Sequence, residues 1–317
     1  MTALQAADAV NASMLWPAGP AAQSIATIAW VLLIGAALIF AAVMALLARA
    51  VHRRKPDNQV RPALWIIGGG VVVPVLVLSA LLAWSVARGA RLATPAPPGA
   101  MVIGVTGHMW WWEVRYRDPQ TGRSVVLANE LRLPVGQPVV IGISSADVIH
   151  SFWVPALAGK VDAVPGRVNQ LVLSASRAGV FRAPCAEFCG QQHARMTLHV
   201  VAQPADEFER WLALQAGEAA PPATELQWRG QQAFIAQRCV SCHTVRGLGA
   251  GSLAAPDLTH VGSRLYLGAG TLRNSRDALM AWIADVQHLK PGARMPSSKT
   301  VDASTLQALA AYLEHLQ

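Results

Sequence analysis

The stretch "CAEFCGQQHARM", residues 185–196, holds two cysteines, a histidine, a methionine and a glutamate, in a chain with four cysteines in all. Thiolate and thioether sulfur select copper among the common metals, and imidazole suits it as well. A loop this short cannot close a site alone, so another donor must come from elsewhere in the fold. His150, in "DVIHSFWVP" (147–155), is the candidate. Two thiolates four positions apart can each bridge two metal ions. His150 and the main-chain carbonyl of Glu187 then complete one ion, and His193 and Met196 the other. An electron spread over two bridged ions in a rigid cage changes the geometry little, which suits electron transfer. Two rival readings stand beside this: a disulfide between Cys185 and Cys189, and a solvated loop carboxylate for Glu187.

Around this loop the chain reads as short strands. "MVIGVTG" (101–107), "WWWEVRY" (110–116), "SVVLANEL" (124–131), "PVVIGISS" (138–145), "RVNQLVLSA" (167–175) and "MTLHVVA" (196–202) are separated by Gly, Pro, Asp and Asn turns. Strands so short and evenly spaced predict a small β-sandwich or barrel. His108 and His199 read as ordinary strand-end residues. An acidic, Ala-Pro-rich stretch over 206–225 reads as a helical linker. From 226 the period turns helical, through "ELQWRGQQAFIAQR" (225–238), "SRDALMAWIADVQH" (275–288) and "DASTLQALAAYLEHLQ" (302–317).

Upstream, residues 24–48 and 63–87 carry no charge. Each run exceeds the roughly 20 apolar residues that cross a bilayer, and the mean hydropathy of the chain is +0.34. Gly68–Gly70 and Pro74 are tolerable in a packed membrane helix. The chain is therefore expected to form a transmembrane hairpin. Its connector carries Arg49, Arg53, Arg54, Lys55 and Arg61, whereas the first 23 residues carry no Lys or Arg. The positive-inside rule puts the connector in the cytoplasm and both termini outside. No basic segment and cleavage site mark a removable leader. The net charge of +8 needs no nucleic-acid partner, because seven basic residues flank the membrane runs. The expected organisation is 1–23 outside, 24–92 hairpin, 93–205 β domain, 206–225 linker and 226–317 helical domain.

The other cysteine pair lies in "CVSCH" (239–243), the C-x-x-C-H pattern of covalent c-type haem attachment. Cys239 and Cys242 would carry the thioether links and His243 the proximal iron bond. A dithiol would want a βαβ context and a zinc site a second ligand pair. For the sixth position Met295, in the Pro- and Gly-bounded loop "KPGARMP" (290–296), is preferred over Met280 within a helix, with His260 and His288 as substitutes. Methionine there raises the haem potential.

Residues 226–317 resemble class I bacterial cytochromes c, on "CVSCH", "APDLTHVG" (255–262), the Met295 loop and the closing helix. In that family the first and last helices cross, which implies that Phe234 and Tyr312 pack there. Over nearly the whole chain, the hairpin, "HMWWWEVRY" (108–116), "ADVIHSFWVPALAGKVDAVPGR" (146–167) and "GVFRAPCAEFCGQQHARM" (179–196) resemble, in order, subunit II of haem–copper cytochrome c oxidases. With its appended haem domain the chain is similar to the caa-type branch. The resemblance implies a multidomain membrane protein: a two-helix hairpin, an all-β cupredoxin-like domain and an all-α class I cytochrome c domain.

It also implies dinuclear copper (CuA) on His150, Cys185, Glu187, Cys189, His193 and Met196, and haem c on Cys239, Cys242, His243 and Met295. Further implications are an electron-input role for Trp110 and a magnesium ion reached by the Glu187 side chain and shared with subunit I. Trp111 and Trp112 are left to packing or subunit contacts. The implied partners are subunits I and III, membrane lipid, and a cytochrome c or quinol-oxidising complex as donor. The implied location is the bacterial inner membrane, with oxygen reduction and proton translocation residing in subunit I. A nitric-oxide-reducing complex with a CuA subunit and a disulfide-bonded membrane scaffold are the rival functions. One departure stands out: "RPALW" (61–65) lacks the acid that many relatives carry before the second membrane helix, which bears on proton uptake.

Overall fold

The computed structural model describes residues 12–52, 61–92, 95–117, 122, 124–248, 252 and 254–317. Arg53, Arg54 and Lys55 of the connector and the first residues, where a leader would lie, fall outside these. The described chain forms two compact units, Gln23–Pro95 and the residues up to Ala22 together with Ala96–Gln317.

The first unit holds most of helix α1 (Pro20–His52) and a second helical segment. That segment is π-helical over Leu64–Val72 and α-helical over Val73–Leu92 (α2). The helical runs Pro20–His52 and Leu64–Ala90 reach mean hydropathies of 2.9 and 2.5, and those windows contain no buried residue. Length and apolarity meet the demand of a bilayer span. The wide turn has a local cause. The Val73 N–H bonds the Gly68 carbonyl, five residues back, which accommodates Pro74, whose own nitrogen can donate nothing.

The second unit is built first as a β-sandwich. One sheet runs β3 (Ser124–Ala128), β2 (Trp111–Arg117), β1 (Val102–His108), β5 (Val139–Ser145) and β8 (Asn169–Leu173). The facing sheet runs β4 (Glu130–Pro134), β10 (Thr197–Gln203) and β9 (Gly179–Pro184), and a small pair joins β6 (His150–Phe152) to β7 (Val161–Ala163). Alternation puts Ile103, Val105, Trp112, Val114, Leu127, Ile141, Ile143, Phe181, Leu198 and Val200 in one core. The predicted single strand over 124–131 is two strands in two sheets. Asn129 breaks it at φ +59°, a left-handed conformation that Asn tolerates. Its side-chain Oδ1 accepts the Trp112 N–H at 2.8 Å, holding the crossover on β2.

The stretch expected to be a linker over 206–225 is, in its first half, helix α3 (Ala205–Ala216). Phe208, Trp211 and Leu212 recur at helical spacing and are buried in the sandwich core. Tyr116 meets Trp211 edge to face at 5.5 Å, and the Arg132 guanidinium lies 4.9 Å over the Trp211 ring. Apolar burial of this kind is worth about 1.5–3 kcal/mol per large side chain, so the helix is part of the domain and 217–224 alone connects.

Helices α4 (Glu225–Ala236), α5 (Arg276–Ala284), α6 (Val286–Leu289) and α7 (Ala303–His315), with a short hairpin β11 (Tyr266–Leu267) and β12 (Leu272–Arg273), enclose a second core. Local signals start the longer helices. Thr224 and Gln227 make a capping box on α4, and Ser275 and Asp302 cap α5 and α7. Phe234 and Tyr312 meet with ring centroids 5.9 Å apart, both buried. At that crossing α4 carries Gly230, where a Cβ would overlap the Ala308 carbonyl of α7 and approach the Tyr312 Cβ to 2.7 Å.

The two cores are bolted together. Outward residues of β4 and β10, which a lone sandwich would leave in water, are buried: Glu130, Thr197 and His199. Glu130 accepts Arg132 Nε at 2.9 Å and the Leu265 N–H at 2.9 Å, with Arg264 Nη1 at 3.7 Å. Arg264 donates to the Gln215 side chain at 2.6 Å. The Thr197 N–H bonds the Ala269 carbonyl at 3.0 Å, and His199 stacks on Tyr266 at 4.0 Å.

Candidate functional site

Strands β9 and β10 are antiparallel with Pro184 opposite Thr197, so 185–196 is a loop pinched at its base. The Cys185 N–H closes it on the Met196 carbonyl at 2.9 Å, and the Ala186 N–H bonds the Ser151 carbonyl of β6 at 3.0 Å. That second bond brings His150 to the loop. Cys185 and Cys189 are buried and unbonded to each other, sulfurs 3.9 Å apart. Cys185 Sγ lies 4.0 Å from His150 Nδ1 and 3.3 Å from the Glu187 carbonyl. Cys189 Sγ lies 3.6 Å from His193 Nδ1 and 3.8 Å from Met196 Sδ. Each sulfur is therefore met by one imidazole and one weaker donor. Donors bound to one ion at ~2.0–2.3 Å sit on the order of 3.3–4 Å apart, so the spacing fits a pair of ions held between the cysteines. All six donors named from the sequence meet here, Glu187 through its main chain. The Glu187 side chain itself is exposed, as is Phe188 beside it.

The protonation pattern follows from the packing. A hydrogen bond from Cys189, reinforced by His150 and main-chain groups, holds the Cys185 thiol down at about 3. The same contact together with burial pushes Cys189 up. Burial opposes charge on His150, but the Cys185 thiolate and Asp147 outweigh it and raise its pKa. Asp147 is a residue the sequence reading passed over, although it stands three places before His150. It accepts His150 Nε2–H at 2.8 Å and the Met109 N–H at 2.7 Å. A carboxylate fixed in this way sets the tautomer and turns the Nδ1 lone pair toward Cys185. Gly107 leaves the room: a Cβ there would run into the His150 ring.

The aromatic run divides by role. Trp112 is buried and meets His150 and Phe152 edge-on at 5.8 and 5.9 Å. Trp111 stacks on His108 at 4.3 Å. Trp110 donates its indole N–H to the Cys189 carbonyl at 2.8 Å, and its ring lies across Gly190, where φ is +111° and a Cβ would come within 3.2 Å of it.

In the helical half, α4 ends and Cys239–Ser241 forms a single tight turn after Arg238 at φ +60°. Cys242 is exposed, while Cys239 sits on the rim of the apolar core with Leu258, Leu272, Met280 and Met295. His243 Nδ1 lies 2.8 Å from the Pro256 carbonyl. A carbonyl only accepts, so Nδ1 carries the proton and Nε2 keeps its lone pair for a metal. Burial lowers the His243 pKa, which keeps that lone pair available. The Met295 carbonyl accepts Gln287 Nε2 at 2.8 Å, tying its loop to α6. His260 is buried with both ring nitrogens against carbonyl oxygens of Gln317 and Gly217. His288 is exposed and lines a crevice with Arg182 and Arg195. His260 therefore has no nitrogen left free to serve as a substitute ligand.

Between the halves lies Lys290, 3% exposed. Its Nζ donates to the carbonyls of Trp110 at 2.8 Å, Arg195 at 2.9 Å and Gly268 at 2.8 Å. Burial draws its pKa down to about 7, while three acceptors at once favour the form with three hydrogens.

A family model described as cytochrome c oxidase subunit II, periplasmic domain, matches residues 120–203, and one described as cytochrome c matches 228–317. The cytochrome c oxidase subunit 2 of Alkalihalophilus pseudofirmus is 35% identical over 97% of this chain and 91% of its own length. That of Bacillus subtilis is 30% identical over 78% of this chain and 73% of its own. A crystal structure of the periplasmic domain of subunit II of cytochrome oxidase from Bradyrhizobium japonicum shares 30% identity. It covers 38% of this chain and 97% of that one, with a TM-score of 0.36.

Proposed function

The chain belongs to the cytochrome c oxidase subunit II family, and we propose that it is the membrane-anchored electron-input subunit of a terminal respiratory oxidase, fused to its own cytochrome. The observation that carries the reading is the pairing around Cys185 and Cys189, each sulfur with an imidazole and a weaker donor within 4.0 Å. His150, Cys185, the Glu187 carbonyl, Cys189, His193 and Met196 would hold a dinuclear copper centre. Cys239, Cys242, His243 and Met295 would hold haem c, against the apolar rim that Cys239 and Met295 share. When bound, both groups supply one-electron carriers between an external reductant and the oxygen-reducing subunit I.

The residues of the chain set the conditions for this. Asp147 and Pro256 fix the tautomers of His150 and His243, so that neither imidazole has to turn when its ligand is bound. The buried sulfurs exclude water from the cage. Trp110, bonded to the Cys189 carbonyl, is the input residue on the copper side. The exposed Glu187 carboxylate would reach a magnesium ion shared with subunit I. Subunit III, lipid, and a cytochrome c or quinol-oxidising complex complete the partners, with the redox domains outside the bacterial inner membrane. Purified with its partner subunits, the complex should consume oxygen from a reduced donor and contain covalent haem and a mixed-valence copper signal. Haem with neither copper nor oxygen consumption would overturn the assignment.

Metal loading has a pH signature. Both sulfurs must bind as thiolates, and metal uptake then displaces whatever protons they carry. Cys185 is already a thiolate at neutral pH and Cys189 holds its proton. Adding copper to metal-free protein at pH 8 should release at least the one proton that Cys189 holds. At pH 6 the release should be larger and the apparent affinity lower, because His150, with its raised pKa, must also deprotonate. A pH-stat titration measures both. Proton-neutral loading at pH 8 would contradict the assignment of Cys189 as the protonated partner.

A further inference from the structure

The redox sites make no use of the chemistry of Lys290 at the junction. A lysine 3% exposed is unusual without a carboxylate partner, and burying its charge is costly unless every proton is satisfied. Here they all are, by three carbonyls from three separate pieces of chain. Trp110 precedes β2 and bonds the Cys189 carbonyl. Arg195 lies in the single turn between His193 and Met196. Gly268 belongs to the β11–β12 hairpin of the cytochrome half. Lys290 itself opens the loop that carries Met295. Two residues on, Gly292 approaches Trp110 so closely that a Cβ there would lie 3.5 Å from its ring and 2.8 Å from Gln191 Oε1. No neutral side chain offers three diverging donors.

We propose that Lys290 is a positioning residue for electron delivery: its ammonium clamps the Met295 loop onto Trp110 and the copper loop, and so fixes the gap an electron crosses between the two halves. The inference rests on the proposed function above. In the step it serves, one electron leaves the reduced haem and enters the oxidised copper centre. No bond forms or breaks and Lys290 keeps its protons. The Glu130–Arg264 and Glu130–Leu265 contacts use none of the clamp's residues, so loss of the ammonium should loosen the loop while the halves stay joined.

The test compares Lys290→Met, which keeps the length and removes the donors, with Lys290→Gln, which keeps two. In the intact complex, hydrogen exchange is read at Gly292 and Ala293. Their N–H groups bond Gln287 Oε1 at 3.0 Å and the Lys290 carbonyl at 3.2 Å. Internal haem-to-copper transfer is followed after rapid photoreduction. For Lys290→Met, exchange at both amides should rise about tenfold or more, and the internal rate should fall about ten- to a hundredfold, the penalty of roughly ångström-scale misplacement. Haem reduction by an external reductant and the copper signal should be unchanged, and Lys290→Gln should fall between. An internal rate within twofold of the parent, or unchanged exchange, overturns the proposal. If Lys290→Met fails to accumulate, Lys290→Gln alone decides by the same two readouts. A parent complex without haem or copper would refute the proposed function instead, and the exchange measurement would still decide the clamp.

Discussion

Cys185→Ser should strip the copper pair from the protein and leave the haem in place. Cys185 is the hub of its loop, in reach of His150, Glu187 and Cys189 at once. Serine offers a harder oxygen that stays protonated at neutral pH, so a soft bridging ligand is lost from both ions together. The remaining donors, His150, the Glu187 carbonyl, Cys189, His193 and Met196, include a single thiolate, too few to hold a bridged pair. The haem motif draws on a separate core and should be untouched. Metal analysis and spectroscopy of the variant complex should show copper reduced to background, haem at the parental level, and oxygen consumption abolished. The haem should still accept electrons from a soluble reductant. Full copper retention would remove Cys185 from the ligand set. Loss of both cofactors would point to misfolding, which Cys189→Ser, made in parallel, would reproduce or not.

Gly230→Ala should destabilise the cytochrome half selectively. Helix propensity alone favours Ala over Gly by about 1 kcal/mol. Against it stands the α4–α7 crossing, where the added Cβ would overlap the Ala308 carbonyl and crowd the Tyr312 Cβ. The obstacle is backbone and cannot rotate away, so relief requires the helices to part, and with them the buried Phe234–Tyr312 pair. Overpacking of this kind costs about 1–3 kcal/mol and occasionally more, and a main-chain obstacle places this site at the upper end. Net destabilisation of about 2 kcal/mol should appear as a lower unfolding midpoint monitored at the haem, together with a smaller fraction of chains carrying covalent haem. The copper signal should persist. A variant as stable as the parent would mean that the two helices do not cross so closely.

Much of this architecture is legible in linear form because its signals are local. The membrane runs declare themselves by length, the haem motif by five consecutive residues, and the metal loop by donor spacing within 185–196. Strands with clean alternation are recoverable as well. The misses share one cause, dependence on distant partners. Strands β6, β7 and β9 are too short or too interrupted by Gly and Pro to show a period. Asn129 splits a run that reads as continuous, because its side chain finds Trp112. The helix in 206–225 is legible but its docking is not: the acidic, Ala-Pro-rich neighbourhood reads as a linker, yet Phe208, Trp211 and Leu212 mark a buried face. Lys290 makes its bonds only to carbonyls that folding brings to it. Glu130 and Arg264, each unremarkable in sequence, become intelligible only as a buried pair across the junction.

With α3 folded onto the sandwich, the connection between the halves shrinks to residues 217–224. Eight residues stretch to at most about 28 Å, and the Ala219 N–H and Pro221 carbonyl are themselves tied down, to Arg246 and His315. Even if its clamps let go, the cytochrome could not wander to a neighbouring complex. With haem and copper bound as proposed, each copper centre would own a private current source in one-to-one stoichiometry. Under the proposed function, that internal wiring would be indifferent to dilution.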